Sequence, residues 1–317
     1  MRSRFLLAAC CFGAASFSAT SAFGQIGAPQ LGWIPDGARI RPVNGLPAAA
    51  AVGAPVPADQ DFAQIAASPA RNYVLVSAAD TGIVSLYTTE RGLVALDGAG
   101  AAPDSIVLSP RGSSAALWFS SLSRLQIVTG LPETPVIRQL DTSFLGTAPA
   151  ALAISDDGAW AAGIWTAGTY TLGPSGEVNL LPVDNAATLA FFAGTHNLAV
   201  ASASAVQMIT GVEGFALTSN LLTSADASLQ PIGIAATSDN RTLILADHSG
   251  SVTAIDISSG ASTLSDCGCQ PSGLFGMGPS AFRLTGLEGG GFKLFDAALG
   301  EVLIAPLAWT ETEGAGQ

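Results

Sequence analysis

The sequence predicts an all-β fold, a single β-propeller of six or seven four-stranded blades closed by N- and C-terminal strands. Three observations carry this. An apolar strand, a polar or Gly/Pro turn and a second apolar strand recur as a unit six times between Ile65 and Leu284. The residues opening these turns, Ser68, Ser109, Ser155, Ala193, Ser238 and Gly276, are separated by 41, 46, 38, 45 and 38 residues, and a period near forty residues is one four-stranded blade. Beyond the first 22 residues no stretch keeps a 3.6-residue apolar period, and the 36 Gly and 18 Pro punctuate short apolar runs.

Taken in order, the chain opens on a basic Met1-Arg2-Ser3-Arg4, an apolar Phe5 to Phe17 and a small-x-small Ala22-Phe23-Gly24. That order is expected of a secretory signal peptide over residues 1–24. Residues 25–56 hold two strand-like runs, Leu31 to Ile34 and Arg39 to Pro42, around a Pro35-Asp36-Gly37 turn. They bring no inner strand of their own, so the segment is expected to complete the closing blade. The repeats occupy residues 57–309, and residues 310–317 read as a disordered tail.

Within the repeats the runs before each turn, such as Ile65-Ala66-Ala67, Ile106-Val107-Leu108 and Ile234-Ala235-Ala236, have the continuous apolarity of strands buried on both faces and are expected to be innermost. The turns Ser109-Pro110-Arg111-Gly112, Ser155-Asp156-Asp157-Gly158 and Ser238-Asp239-Asn240-Arg241 supply a preset negative φ at Pro and a tolerated positive one at Gly or Asn. Second strands follow at Tyr73 to Val76, Ala115 to Phe119, Trp160 to Trp165, Leu198 to Ala201, Leu243 to Ala246 and Ala281 to Leu284. Third strands such as Val252-Thr253-Ala254-Ile255 alternate apolar and polar residues, which gives one wet face. Outer strands are faint, among them Leu93 to Leu96, Phe215 to Leu217 and Val302 to Ile304.

The formal net charge is -12, and removing Arg2 and Arg4 with the leader makes it -14. This argues against nucleic acid and anionic membrane as partners. No apolar stretch approaches the ~20 residues of a membrane span. Cys10 and Cys11 leave with the leader, so the mature thiols are Cys267 and Cys269; in an oxidising compartment they are expected to pair as a disulfide, with a redox role as the lesser alternative. A secreted or periplasmic monomer follows from these features.

The segment Asp247 to Gly260, DHSGSVTAIDISSG, resembles the passage from second to third strand in WD-repeat and YVTN-type bacterial propellers, and Asp80 to Tyr87, DTGIVSLY, is similar. Ile255-Asp256 and Phe295-Asp296 stand where the Trp-Asp dipeptide of WD repeats would fall. The resemblance covers Phe62 to Trp309 and implies a propeller fold without implying an activity. Trp33 to Pro55 and Cys267 to Asp296 also resemble stretches of secreted bacterial propellers.

Catalytic patterns are sparse. No GxSxG or HExxH occurs, and the two histidines, His196 and His248, fall in turns expected on opposite faces. His248 beside Asp247 reads as an acid/base pair or as a solvated turn residue. Asp80, Asp104, Asp184, Asp226, Asp247 and Glu288 lie in loops expected at the channel mouth. Converging there, they would bind a divalent cation such as calcium, as in a lactonase-like hydrolase; separately, they are ordinary turn residues. Two functions therefore stand open: a non-enzymatic secreted scaffold, binding a protein, peptide or glycan or serving as a structural module of the cell envelope, without a resident cofactor, and a lactonase-like metal-assisted hydrolase.

Overall fold

The computed structural model describes residues 29–308 except Ala227 and Gly289. The expected signal peptide and tail lie outside the described residues. Seven antiparallel sheets form the blades of a propeller, six of four strands and one of three. The first blade comprises β1 (Gln30–Asp36), β2 (Arg39–Asn44) and β3 (Ala51–Val52). The second comprises β4 (Phe62–Ala67), β5 (Val74–Ala78), β6 (Val84–Thr88) and β7 (Gly92–Ala95). The third holds β8 (Ser105–Leu108), β9 (Ser114–Phe119), β10 (Arg124–Thr129) and β11 (Val136–Asp141). The fourth holds β12 (Ala151–Ile154), β13 (Ala161–Trp165), β14 (Gly168–Leu172) and β15 (Val178–Leu180). The fifth holds β16 (Ala186–Phe191), β17 (Leu198–Ser202), β18 (Ala205–Thr210) and β19 (Leu217–Thr223). The sixth has β20 (Pro231–Ala236), β21 (Thr242–Asp247), β22 (Ser251–Asp256) and β23 (Ser262–Asp266). The seventh has β24 (Phe275–Gly276), β25 (Ala281–Arg283), β26 (Gly291–Asp296) and β27 (Glu301–Pro306).

In each four-stranded blade the first-to-second turn lies on one face of the ring, here the turn face. The second-to-third turn and the link to the next blade lie on the other, the crossover face. The second strands form the dry layer: β5, β9, β13 and β17 are buried throughout. Their side chains pack between neighbouring blades, as where Tyr73 and Leu75 of the second meet Leu117 and Phe119 of the third. The inner strands differ from the expectation of two buried faces. Every residue of β8 is only half-buried, as are Ile65, Ala66 and Ala67 of β4, because these strands border an open channel.

The segment expected to complete the closing blade forms the three-stranded sheet. Its polarity is informative. Val56 donates to the Ile40 carbonyl at 2.8 Å and Phe62 to the Ala38 carbonyl at 2.9 Å, so β4 begins beside the turn that ends β1. The space beside Gly32, at the other end of β1, is bounded by Met277 and Arg71, both from turn-face turns. β1 therefore runs against β4, with the polarity of a second strand, and the sheet has no inner strand. Leu31, Ile34, Val43 and Val52 pack against Phe292, Leu294 and Ala305 of the seventh blade. A parallel bridge from Val52 to Leu307 joins the two ends of the chain, and Ala308 donates to the Val52 carbonyl at 3.0 Å.

Hydrogen bonds between successive turns belt the turn face. The buried Tyr73 hydroxyl donates to the Gly112 carbonyl at 2.7 Å. Asp156 accepts the amide of Arg111 from the third blade at 2.7 Å and that of Gly194 from the fifth at 2.6 Å. Asn240 exchanges two bonds with the backbone of Ala193, at 2.8 and 2.9 Å, and Ser238 donates to the Pro279 carbonyl at 2.9 Å. Gly112, at φ 69, and Gly158, at φ 66, close their turns so tightly that a Cβ would strike Ser68 and Thr129 of the preceding blades. Among the described residues no helix is long and apolar enough to cross a membrane.

Candidate functional site

A cavity of about 400 Å³ occupies the channel, within the range that holds a small organic ligand. Six blades line it with inner-strand residues such as Ile65, Val107, Ala153, Leu189 and Ile234. The first blade, having no inner strand, lines it with Trp33 and Pro35 of β1. The wall is mainly aliphatic and aromatic, with hydroxyls from Ser109, Thr188, Ser238 and Ser272, and its one ionisable side chain among the described residues is Arg283.

Arg283 is 8% exposed. It ends β25, opposite Phe275 of β24, and its guanidinium carbon stands 4.0 Å from the centre of the Phe275 ring, a cation–π shelf that fixes its plane. Nη1 donates to the Thr285 carbonyl at 3.0 Å. Among the described residues no carboxylate lies within ion-pair distance of it. Nε and Nη2 have no partner there either, and neither is among the polar atoms sealed from solvent without one. Burial alone pushes its pKa down to about 10, so it is a cation at neutral pH.

Of the six acidic residues expected at the channel mouth, five lie in crossover-face loops and Asp247 ends β21 at that face, and none lines the cavity. Asp80 is exposed and binds the Thr81 amide at 2.7 Å. Asp104 accepts the Ser120 amide at 2.6 Å, which holds its carboxyl below the usual value. Asp184, Asp226 and Glu288 are exposed. Asp247, at the end of β21, is buried; burial pushes its carboxyl up, but the amides of Ser249 at 2.8 Å and Gln230 at 2.5 Å outweigh this and leave it lowered. His248 beside it is exposed. Among the described residues no group of three or more His, Cys, Asp and Glu is arranged to hold a metal ion.

The turn face carries a cluster that the sequence alone does not assemble. His196, between β16 and β17, directs Nε2 to the Asp157 carboxylate at 2.8 Å and Nδ1 to the Glu213 carboxylate, with the Trp160 ring centred 6.4 Å away. Burial disfavours the imidazolium, but the bonds to Glu213 and Asp157 outweigh it, so the His196 pKa is raised. Its partners lie 39 and 17 residues away in sequence; the blade period was the available signal, since it stacks the turn holding Asp157 beside the turn holding His196. Cys267 and Cys269 are bonded, with an S–S distance of 1.96 Å. Lys293, the lone lysine of the sequence, donates Nζ to the carbonyls of Cys267 and Gly268 at 2.8 and 2.6 Å.

Fold and site define a seven-bladed β-propeller with an apolar channel holding one buried cation. No protein-family model matches the chain, and no curated protein matches it. Among solved structures it is similar to a streptogramin B lyase, at 12% identity over 80% of this chain and 85% of that one, with a TM-score of 0.56. It is also similar to hydrazine synthase of Kuenenia stuttgartiensis, at 14% identity over 92% of this chain and 99% of that one, with a TM-score of 0.51. Likeness at this level shows the propeller fold alone.

Proposed function

We propose that the protein is an exported, non-enzymatic propeller that binds a ligand in its central channel. The observation that carries this reading is the composition of the channel wall: its sole ionisable group among the described residues, Arg283, stays protonated and serves as neither base nor nucleophile. The channel hydroxyls of Ser109, Thr188, Ser238 and Ser272 have no histidine or carboxylate beside them in the wall to activate them. Export is supported by the basic, apolar and small-residue order of the N-terminus and by the cysteine pair.

The hydrolase reading requires Asp80, Asp104, Asp184, Asp226, Asp247 and Glu288 to share a cation, and their engagement in separate turns supports the binding reading instead. The test is a panel of lactones and esters offered to protein purified from the exported fraction, with calcium or zinc added. Turnover at the blank rate is expected. Metal-dependent hydrolysis that disappears in an Asp104→Asn, Asp247→Asn double variant would overturn the proposal.

A further inference from the structure

The channel combines two features that select one ligand chemistry. Its wall is largely apolar with a few hydroxyls, and among the described residues its single cation has donors left over. A guanidinium withdrawn from water without a counter-charge is costly to hold, and this one keeps only one carbonyl bond and an aromatic shelf. The chain is rich in carboxylates, at a net charge of -12, and among the described residues none of them lines the wall. An incoming anion would supply the missing charge, and a planar carboxylate matches the fork presented by Arg283.

We propose that the channel binds an amphiphilic monocarboxylate, its carboxylate on Nε and Nη2 of Arg283 and its apolar body along β1, β4, β8 and β12. The proposal rests on the binding reading above and names the ligand class. The apolar body is required as well as the anion. The protein's overall charge opposes any anion, so a small carboxylate without apolar bulk gains too little. Conversely, an apolar alcohol of the same length fills the channel but leaves the guanidinium without a counter-charge.

Calorimetric titration of the whole mature protein with decanoate, decanol and acetate tests this. Decanoate is expected to bind at least about tenfold more tightly than decanol, the effect of one charge-assisted bond, and acetate not measurably. In Arg283→Met the preference for decanoate over decanol should vanish while decanol binding persists; Arg283→Lys, which keeps the charge but not the fork, should retain part of it. Equal affinities for decanoate and decanol in the wild-type protein would overturn the proposal without recourse to any variant, and would leave channel binding intact. Chemical conversion of the bound compound, followed by mass spectrometry, would overturn the non-enzymatic reading instead. A preference unchanged in folded Arg283→Met would place the carboxylate elsewhere and sink the assignment.

Discussion

Asp156 serves three blades at once. Its own turn belongs to the fourth, and its two oxygens take amides from the third and fifth. Charge-assisted bonds of this kind contribute more than neutral ones, so Asp156→Ala should cost about 2 kcal/mol and lower the melting temperature by about 3 °C. Asp156→Asn, which keeps one acceptor oxygen, should fall between. Calorimetry of the three proteins checks the order. His196 gives a pH-dependent counterpart. Its pKa is raised above the ordinary 6.5, so its contribution is fully present below that value and is lost as pH rises through the folded-state pKa. Against His196→Gln, the wild-type protein should therefore melt higher by about 2 °C in mildly acidic buffer, given the modest worth of half-exposed ion pairs. The gap should close above neutrality. A gap that widens with pH would contradict the cluster.

At the scale of elements, turns and second strands were the most legible, because each is set by local chemistry. Ser155-Asp156-Asp157-Gly158 announces its own geometry, and β5, β9 and β13 are almost wholly apolar. Outer strands were least legible. β19, Leu217–Thr223, is mostly exposed and polar, whereas the sequence pointed to Phe215 to Leu217; an edge strand held by backbone pairing leaves no apolar alternation to read. The site divides along the same line. The acids could be placed on their face but not in relation to the channel, since a turn motif says nothing about distance to the axis. Arg283 carried no signal at all, because an arginine ending an apolar strand looks like any surface boundary. The loop bridged by Cys267 and Cys269 offers a prediction here. Lys293 ties its carbonyls back to β26. Lys293→Met should free the loop and speed opening of the bridge by dithiothreitol about fivefold, the equivalent of ~1 kcal/mol. A rate unchanged in the folded variant would show that the lysine does not restrain the loop.

At the scale of the whole molecule, the count of blades depended on the one sheet outside the repeat pattern. β1 to β3 lack an inner strand, so no turn marker announces them, and Trp33 and Pro35 of β1 border the channel in its place. The ring is joined there by Val52 and Leu307. Leu307→Asp, which sets a charge into the apolar contact between the first and last blades, should lower the melting temperature by about 3 °C, corresponding to ~2 kcal/mol. The seam also sets a timetable for synthesis. Leu31, Ile34, Val43 and Val52 are synthesised well before Phe292, Leu294 and Ala305, which cover them. Until those residues follow, the leading sheet has an apolar flank and no mate. Exposed apolar surface of that kind invites association with neighbouring chains, so shielding matters most in that interval.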